Sequence, residues 1–155
     1  MREAIGNTHI LFIVIVIIVV IMMLISGSIS YSKAFKARNA ILNIVQENAQ
    51  YGDTAEKILH KSEEEIGLIL GDMGYKTTIG SNHSCASPSK HKEKLIDYAK
   101  SPNYNFCIYH FGESTTGNEF YGIETYMYFE LPVFGRNDRF SFPIFGETYM
   151  FYKLL

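Results

Sequence analysis

His83, Cys85, His91, Cys107 and His110 are the residues whose types could hold a transition metal or arm a thiol nucleophile. A zinc site needs four nitrogen or sulfur ligands in a tetrahedron, usually supplied as closely spaced pairs. Here His83 and Cys85 are two apart and Cys107 and His110 three apart, with no C-x-x-C pair. The segment NFCIYHF around the second pair alternates as a strand does. Residues three apart then face opposite sides, so Cys107 and His110 cannot share one ion without a bulge. A Cys–His catalytic pair would need a free thiol beside an imidazole in a cleft, and neither cysteine stands in a family signature. G-x-S-x-G, H-E-x-x-H and P-loop patterns are absent from the sequence. The run Glu63-Glu64-Glu65 falls on consecutive helical positions, where carboxylates diverge into solvent. Catalysis is therefore not expected, and neither is a cofactor, a metal or a small-molecule substrate. The chemistry left is a bond between Cys85 and Cys107, the other reading being two unrelated buried thiols. An even cysteine count outside the cytoplasm predicts one disulfide, closing a loop worth about 3 kcal/mol on the chain-entropy model.

The element that must position everything else is ILFIVIVIIVVIMMLI, Ile10 to Ile25, sixteen residues without a polar side chain. A surface helix would show a polar residue every third or fourth position. With Ile29 the apolar segment 10–29 reaches the ~20 residues that cross a hydrocarbon core of about 30 Å. Its β-branched content would suit a buried strand, but its length favours a helix whose hydrogen bonds close internally. The expected anchor residues include Ile10, Phe12, Ile17, Ile21 and Ile25. A cleaved signal peptide is the competing reading, with Ser26-Gly27-Ser28 or Ser28-Ile29-Ser30 as small-residue cut sites. The chain then divides into a short tail (1–9), a transmembrane helix (10–29), an amphipathic stem helix (30–50) and a small head domain (51–155).

After the span the pattern changes. Ile29, Tyr31, Ala34, Phe35, Ile41, Leu42 and Val45 recur in three- and four-residue steps, and no proline interrupts the chain from Ile10 to Gln50. One long helix is predicted, its second half packing on its own domain, on copies of itself, or on both. Asp53 or Thr54 caps a second helix, with Glu56 placed for a capping box and Ile58, Leu59, Ile66, Ile69 and Leu70 as its apolar stripe. Gly71 and Gly74 bracket its end, and Tyr75 to Ile79 starts an extended piece. Gly80 to Ser89 reads as loop, and Lys90 to Lys100 as a short helix. Of the 22 Phe and Tyr residues, 17 lie from Tyr98 onward, which predicts a β-rich end. Strands are expected over 105–111 and 119–131, joined by a hairpin. In the second, Tyr121, Ile123, Thr125, Met127, Phe129 and Leu131 share a face opposite Glu124 and Glu130. A turn at 132–138, a short strand 139–142 broken by Pro143 and Gly146, and a last strand 147–153 complete an α+β fold with three or four antiparallel strands.

Net charge is −2, so attraction to nucleic acid is not expected. Orientation signals conflict. Lys33, Lys36 and Arg38 follow the span while only Arg2 precedes it, which favours a cytoplasmic head by the positive-inside rule. The cysteine pair and the aromatic sheet favour the outside, and that orientation is the one expected here.

The layout resembles the TadE-like minor pilins and pilin-like single-pass membrane proteins of low-GC Gram-positive bacteria. The likeness rests on the very short tail, the immediate apolar helix, the segments RNAILNIVQENAQYGD and IGLILGDMGYKT, the spaced cysteines, and the tail YFELPVFG…FSFPIFGETYMFY. It implies a membrane-anchored structural or accessory subunit of a Tad-type surface filament or related secretion apparatus, assembling as a homo- or hetero-oligomer through its N-terminal helix. It also implies a prepilin cut after a small residue, for which Gly6 is the candidate. In the family glutamate stands fifth after the cut; here that residue is Leu11, which leaves an uncleaved accessory subunit open. The alternative function is an anchored extracellular binding or adhesion domain outside any filament.

Overall fold

The computed structural model describes residues 2–49, 53–75, 85, 95–113, 117–130 and 139–152. Helix α1 runs Arg2–Asn48 without a break and α2 runs Ala55–Asp72. Five strands follow: β1 Leu95–Lys100, β2 Phe106–Glu113, β3 Asn118–Glu130, β4 Arg139–Glu147 and β5 Phe151–Tyr152. Strands β1 to β4 pair antiparallel in chain order, and the two-residue β5 pairs with the start of β3. Both helices pack against this sheet, giving the predicted α+β fold.

The second half of α1 is the spine of the head. Ala34, Ala37, Ile41, Ile44, Val45 and Ala49 are buried in three- and four-residue steps. Two alanines at the start of this stripe let β3 come close enough for Thr125 Oγ1 to donate to the Ala34 carbonyl at 3.4 Å. Ile41, Ile44 and Val45 then each contribute about 1.5–3 kcal/mol of apolar burial. Ile29, Tyr31 and Phe35, which share the same periodicity in the sequence, point outward.

Helix α2 begins at Thr54, whose side chain accepts from the Lys57 amide. The third helical position is thus Lys57, and Glu56 forms no capping box. The predicted stripe holds for Ile58, Leu59, Ile66 and Leu70, with Ser62 buried among them. The end is a Schellman turn: Gly74 N–H donates to Gly71 and Tyr75 N–H to Leu70, both at 2.9 Å. Gly74 takes φ +60, the left-handed conformation this turn requires.

Three sequence expectations need correction or qualification. Residues 95–100 form a strand, not the end of a helix. The spacing of Leu95, Ile96 and Ala99 imitates a helical face, but the segment pairs antiparallel with β2 as the edge strand of the sheet. β4 also continues through Pro143 and Gly146. It is the last strand of the four, where a proline removes no ladder bond if its nitrogen faces outward. The last predicted strand, 147–153, contracts to Phe151–Tyr152. The extended piece at 76–79, most of the loop 80–89, residues 90–94 and the turn 132–138 lie outside the described residues.

Candidate functional site

The feature the fold presents most openly is the first half of α1. Among the described residues one helix is long and apolar enough to cross a membrane, and it is this one. Ile10, Phe12, Ile17, Ile21 and Ile25 are each about half exposed or more, as large side chains are on a helix with no neighbour. Leaving these side chains in water forfeits about 1.5–3 kcal/mol apiece, so the segment calls for an apolar environment. Gly6 lies within α1, and the helix is continuous through it.

Of the cations after the span, Arg38 is engaged by the head. Arg38 Nη1 donates to the Phe145 carbonyl at 3.1 Å, and Nη2 to Asn39 Oδ1 at 2.9 Å. Its guanidinium also sits 4.2 Å from the centre of the Phe35 ring. Lys33 Nζ lies 3.9 Å from where a Cβ on Gly74 would stand, at the carbonyl-rich end of α2. A cation there complements the helix dipole. Of the three cations after the span, Arg38 therefore has a structural role in the head.

Cys85 and Cys107 form a disulfide with Cα atoms 6.0 Å apart, ordinary geometry for such a bond. Cys107 is on the sheet face turned away from the helices, packed with Tyr109, Phe111 and Phe120. The bond thus fixes a distant part of the chain onto that outer face.

His110 is on the opposite, helix-facing side, so the two residues three apart do diverge. It stands in a row across the sheet: Asp97 on β1, His110 on β2 and Tyr121 on β3 are register partners. His110 Nδ1 is 2.8 Å from Asp97 Oδ1 and Nε2 is 3.2 Å from Glu119 Oε2. Its ring lies flat on Tyr121 at 4.6 Å and 10°. Asp97 Oδ2 accepts from the Ala55 amide at 3.0 Å, the first residue of α2, and Tyr121 Oη donates to the Asp53 carbonyl at 2.5 Å. Asp53 itself is paired with Lys61, whose hydrogen bond holds the carboxyl below its usual range. The cluster fastens the start of α2 to three strands. Its ring nitrogens face two separate carboxylates rather than one point, and among the described residues no group of three or more His, Cys, Asp or Glu is placed to hold a metal. His83 and His91 lie outside the described residues.

On the outer face Tyr109 donates to Glu124 at 2.5 Å. Burial, reinforced by that carboxylate, pushes the phenol above its ordinary value. Burial likewise raises Tyr121. Phenols held neutral in this way tie strands together and supply no nucleophile at neutral pH. Sequence reasoning missed Asp97, Glu119 and Tyr121 because only strand register brings them to His110.

Comparison with protein-family models, with curated proteins and with solved structures gives no match.

Proposed function

We propose that the protein is a pilin-like, membrane-anchored structural or accessory subunit of a surface filament of the Tad type or a related secretion apparatus. The observation that carries this reading is the division of labour along α1. One unbroken helix, Arg2–Asn48, is bare and apolar from Ile10 to Ile25 and forms the spine of an α+β head from Ala34 on. Such a helix inserts in lipid as a monomer and packs side by side with like helices in an assembly, without change in the head. The resemblance to TadE-like proteins points the same way. A disulfide in a small domain fits an oxidising compartment and supports a head outside the cytoplasm.

The test is photo-cross-linking in cells from Phe12 and Ile17. A subunit gives adducts with itself or with assembly proteins at both positions. An anchored binding domain outside any filament gives lipid adducts alone, and that result would sink the proposal.

A further inference from the structure

Below Ala34, α1 has two distinct faces. Val19, Met23, Ser26, Gly27 and Ser30 are less exposed than their neighbours and continue the buried Ala34–Ala37–Ile41 stripe in three- and four-residue steps. Beside them, Ile29, Tyr31 and Phe35 are 54%, 53% and 38% exposed, and the two rings stack at 6.2 Å. β4 adds Phe142, 51% exposed and paired with Met127.

These residues share a level. β3 runs antiparallel to α1: Thr125 bonds Ala34, while Tyr121 reaches Asp53 beyond the end of the helix. Met127, paired with Phe142, is two residues beyond Thr125, on the opposite side from Tyr121 and toward the helix N-terminus. At about 3.4 Å per strand residue and 1.5 Å per helix residue, that places Phe142 near Ser30 and Tyr31. The last pair, Glu130 with Arg139, is five residues from Thr125. That is about 16 Å, level with the helix between Met23 and Gly27.

We infer that the head stands directly on the lipid surface, with Tyr31, Phe35 and Phe142 forming an aromatic belt in the headgroup layer and the ends of β3 and β4 reaching the hydrocarbon boundary. This rests on the reading of α1 as a membrane anchor. Two features select phospholipid as the occupant. The belt is continuous with the bare apolar helix. Tyr and Phe with the exposed Lys36 among them are suited to an interface that is apolar on one side and wet on the other. The four residues from Gly27 to Tyr31 rise about 6 Å, the thickness of one headgroup layer. The stem is therefore inside the head and does not hold it away from the membrane.

The test uses the full chain in vesicles of phosphatidylcholine and phosphatidylglycerol, with the native disulfide intact and an environment-sensitive fluorophore on one added thiol. Phe12→Cys reports on the anchor, Phe142→Cys on the belt, and Tyr149→Cys on the far end of the sheet; Pro143→Cys repeats the belt reading at the next exposed position. Nitroxide lipids carry the quencher on the headgroup or in mid-chain. Phe12→Cys should be quenched by the mid-chain probe. Phe142→Cys and Pro143→Cys should lose half or more of their emission to the headgroup probe, and Tyr149→Cys should be untouched. With Phe12→Cys quenched, an unquenched Phe142→Cys and Pro143→Cys overturn the inference, whether a second copy covers the belt or the head stands off. An unquenched Phe12→Cys instead overturns the anchor itself.

Discussion

His110 and Asp97 are joined by a 2.8 Å contact between Nδ1 and Oδ1, and the other oxygen of Asp97 accepts from the first amide of α2. With Glu119 at the second ring nitrogen, His110 links carboxylates on β1 and β3. His110→Leu removes both contacts and leaves two carboxylates facing an apolar side chain. The loss should be about 2–4 kcal/mol, read as a lower urea midpoint in detergent by tyrosine fluorescence. His110→Gln, which keeps one donor, should lose less. Equal stability of both variants with the wild type would show that the cluster does not hold α2.

Gly122 lies on the outer face of β3 between two rings. A Cβ there would stand 2.6 Å from Phe145 Cζ and 2.8 Å from Phe111 Cε2. Gly122→Ala must push apart side chains that are packed against Tyr109, costing about 1–3 kcal/mol. Gly71→Ala, where an added Cβ meets nothing within 4 Å, is the matched control and should be neutral or slightly stabilising. Thermal melts of the two variants check the contrast.

Much of this architecture is legible in the residues. The alternation of Phe106, Ile108 and His110 against Cys107, Tyr109 and Phe111 places each residue on the face where it is found. The same holds for Tyr121, Ile123, Thr125 and Met127 on β3, because a strand covered by helices must show its apolar residues at a period of two. The helices were equally open, one through its unbroken apolar run and the other through its stripe and caps. β1 was hidden because an edge strand carrying Asp97, Tyr98 and Lys100 has no apolar alternation to display. The cluster at His110 was hidden for a related reason: Asp97, Glu119 and Tyr121 meet it only through register, which follows from pairing and not from spacing along one strand.

Burial raises Tyr75 to about 12 from 10.0, opposed by a hydrogen bond from the Tyr126 backbone. The hydroxyl sits 3.1 Å from the Asn105 and Tyr126 carbonyls and accepts from the Tyr126 amide at 2.9 Å. Tyr126 is also raised to about 12, by burial and then by Glu124. The fold holds these phenols neutral more firmly than the unfolded chain does. Their contribution is fully present below pH 10 and is lost as pH rises from 10 toward 12. Tyr75 alone accounts for an alkaline loss on the order of 2–3 kcal/mol. Tyr75→Phe should be less stable at pH 7 but should lose less between pH 9 and about 12, measured by urea titration at each pH.

Opening the bond between Cys85 and Cys107 frees a loop spanning 22 residues. Reduction should lower stability by about 3 kcal/mol and should expose the outer-face cluster of Tyr109, Phe111 and Phe120 first. Hydrogen exchange of β2 and β3 with and without reductant reads this directly: faster exchange of Cys107 to Phe111 is the expected result, and unchanged exchange would remove the disulfide from the account of the sheet.

The most direct test of an anchored subunit with its head outside the cytoplasm is the thiol state and intact mass of the protein, acid-quenched from the membrane fraction of its own cells and alkylated with and without reductant. The account predicts an oxidised Cys85–Cys107 pair on a chain that retains Ile10 to Ile25, beginning either at Met1 or after Gly6. Two free thiols, or a mass that starts near Ile29 or Tyr31, would contradict it.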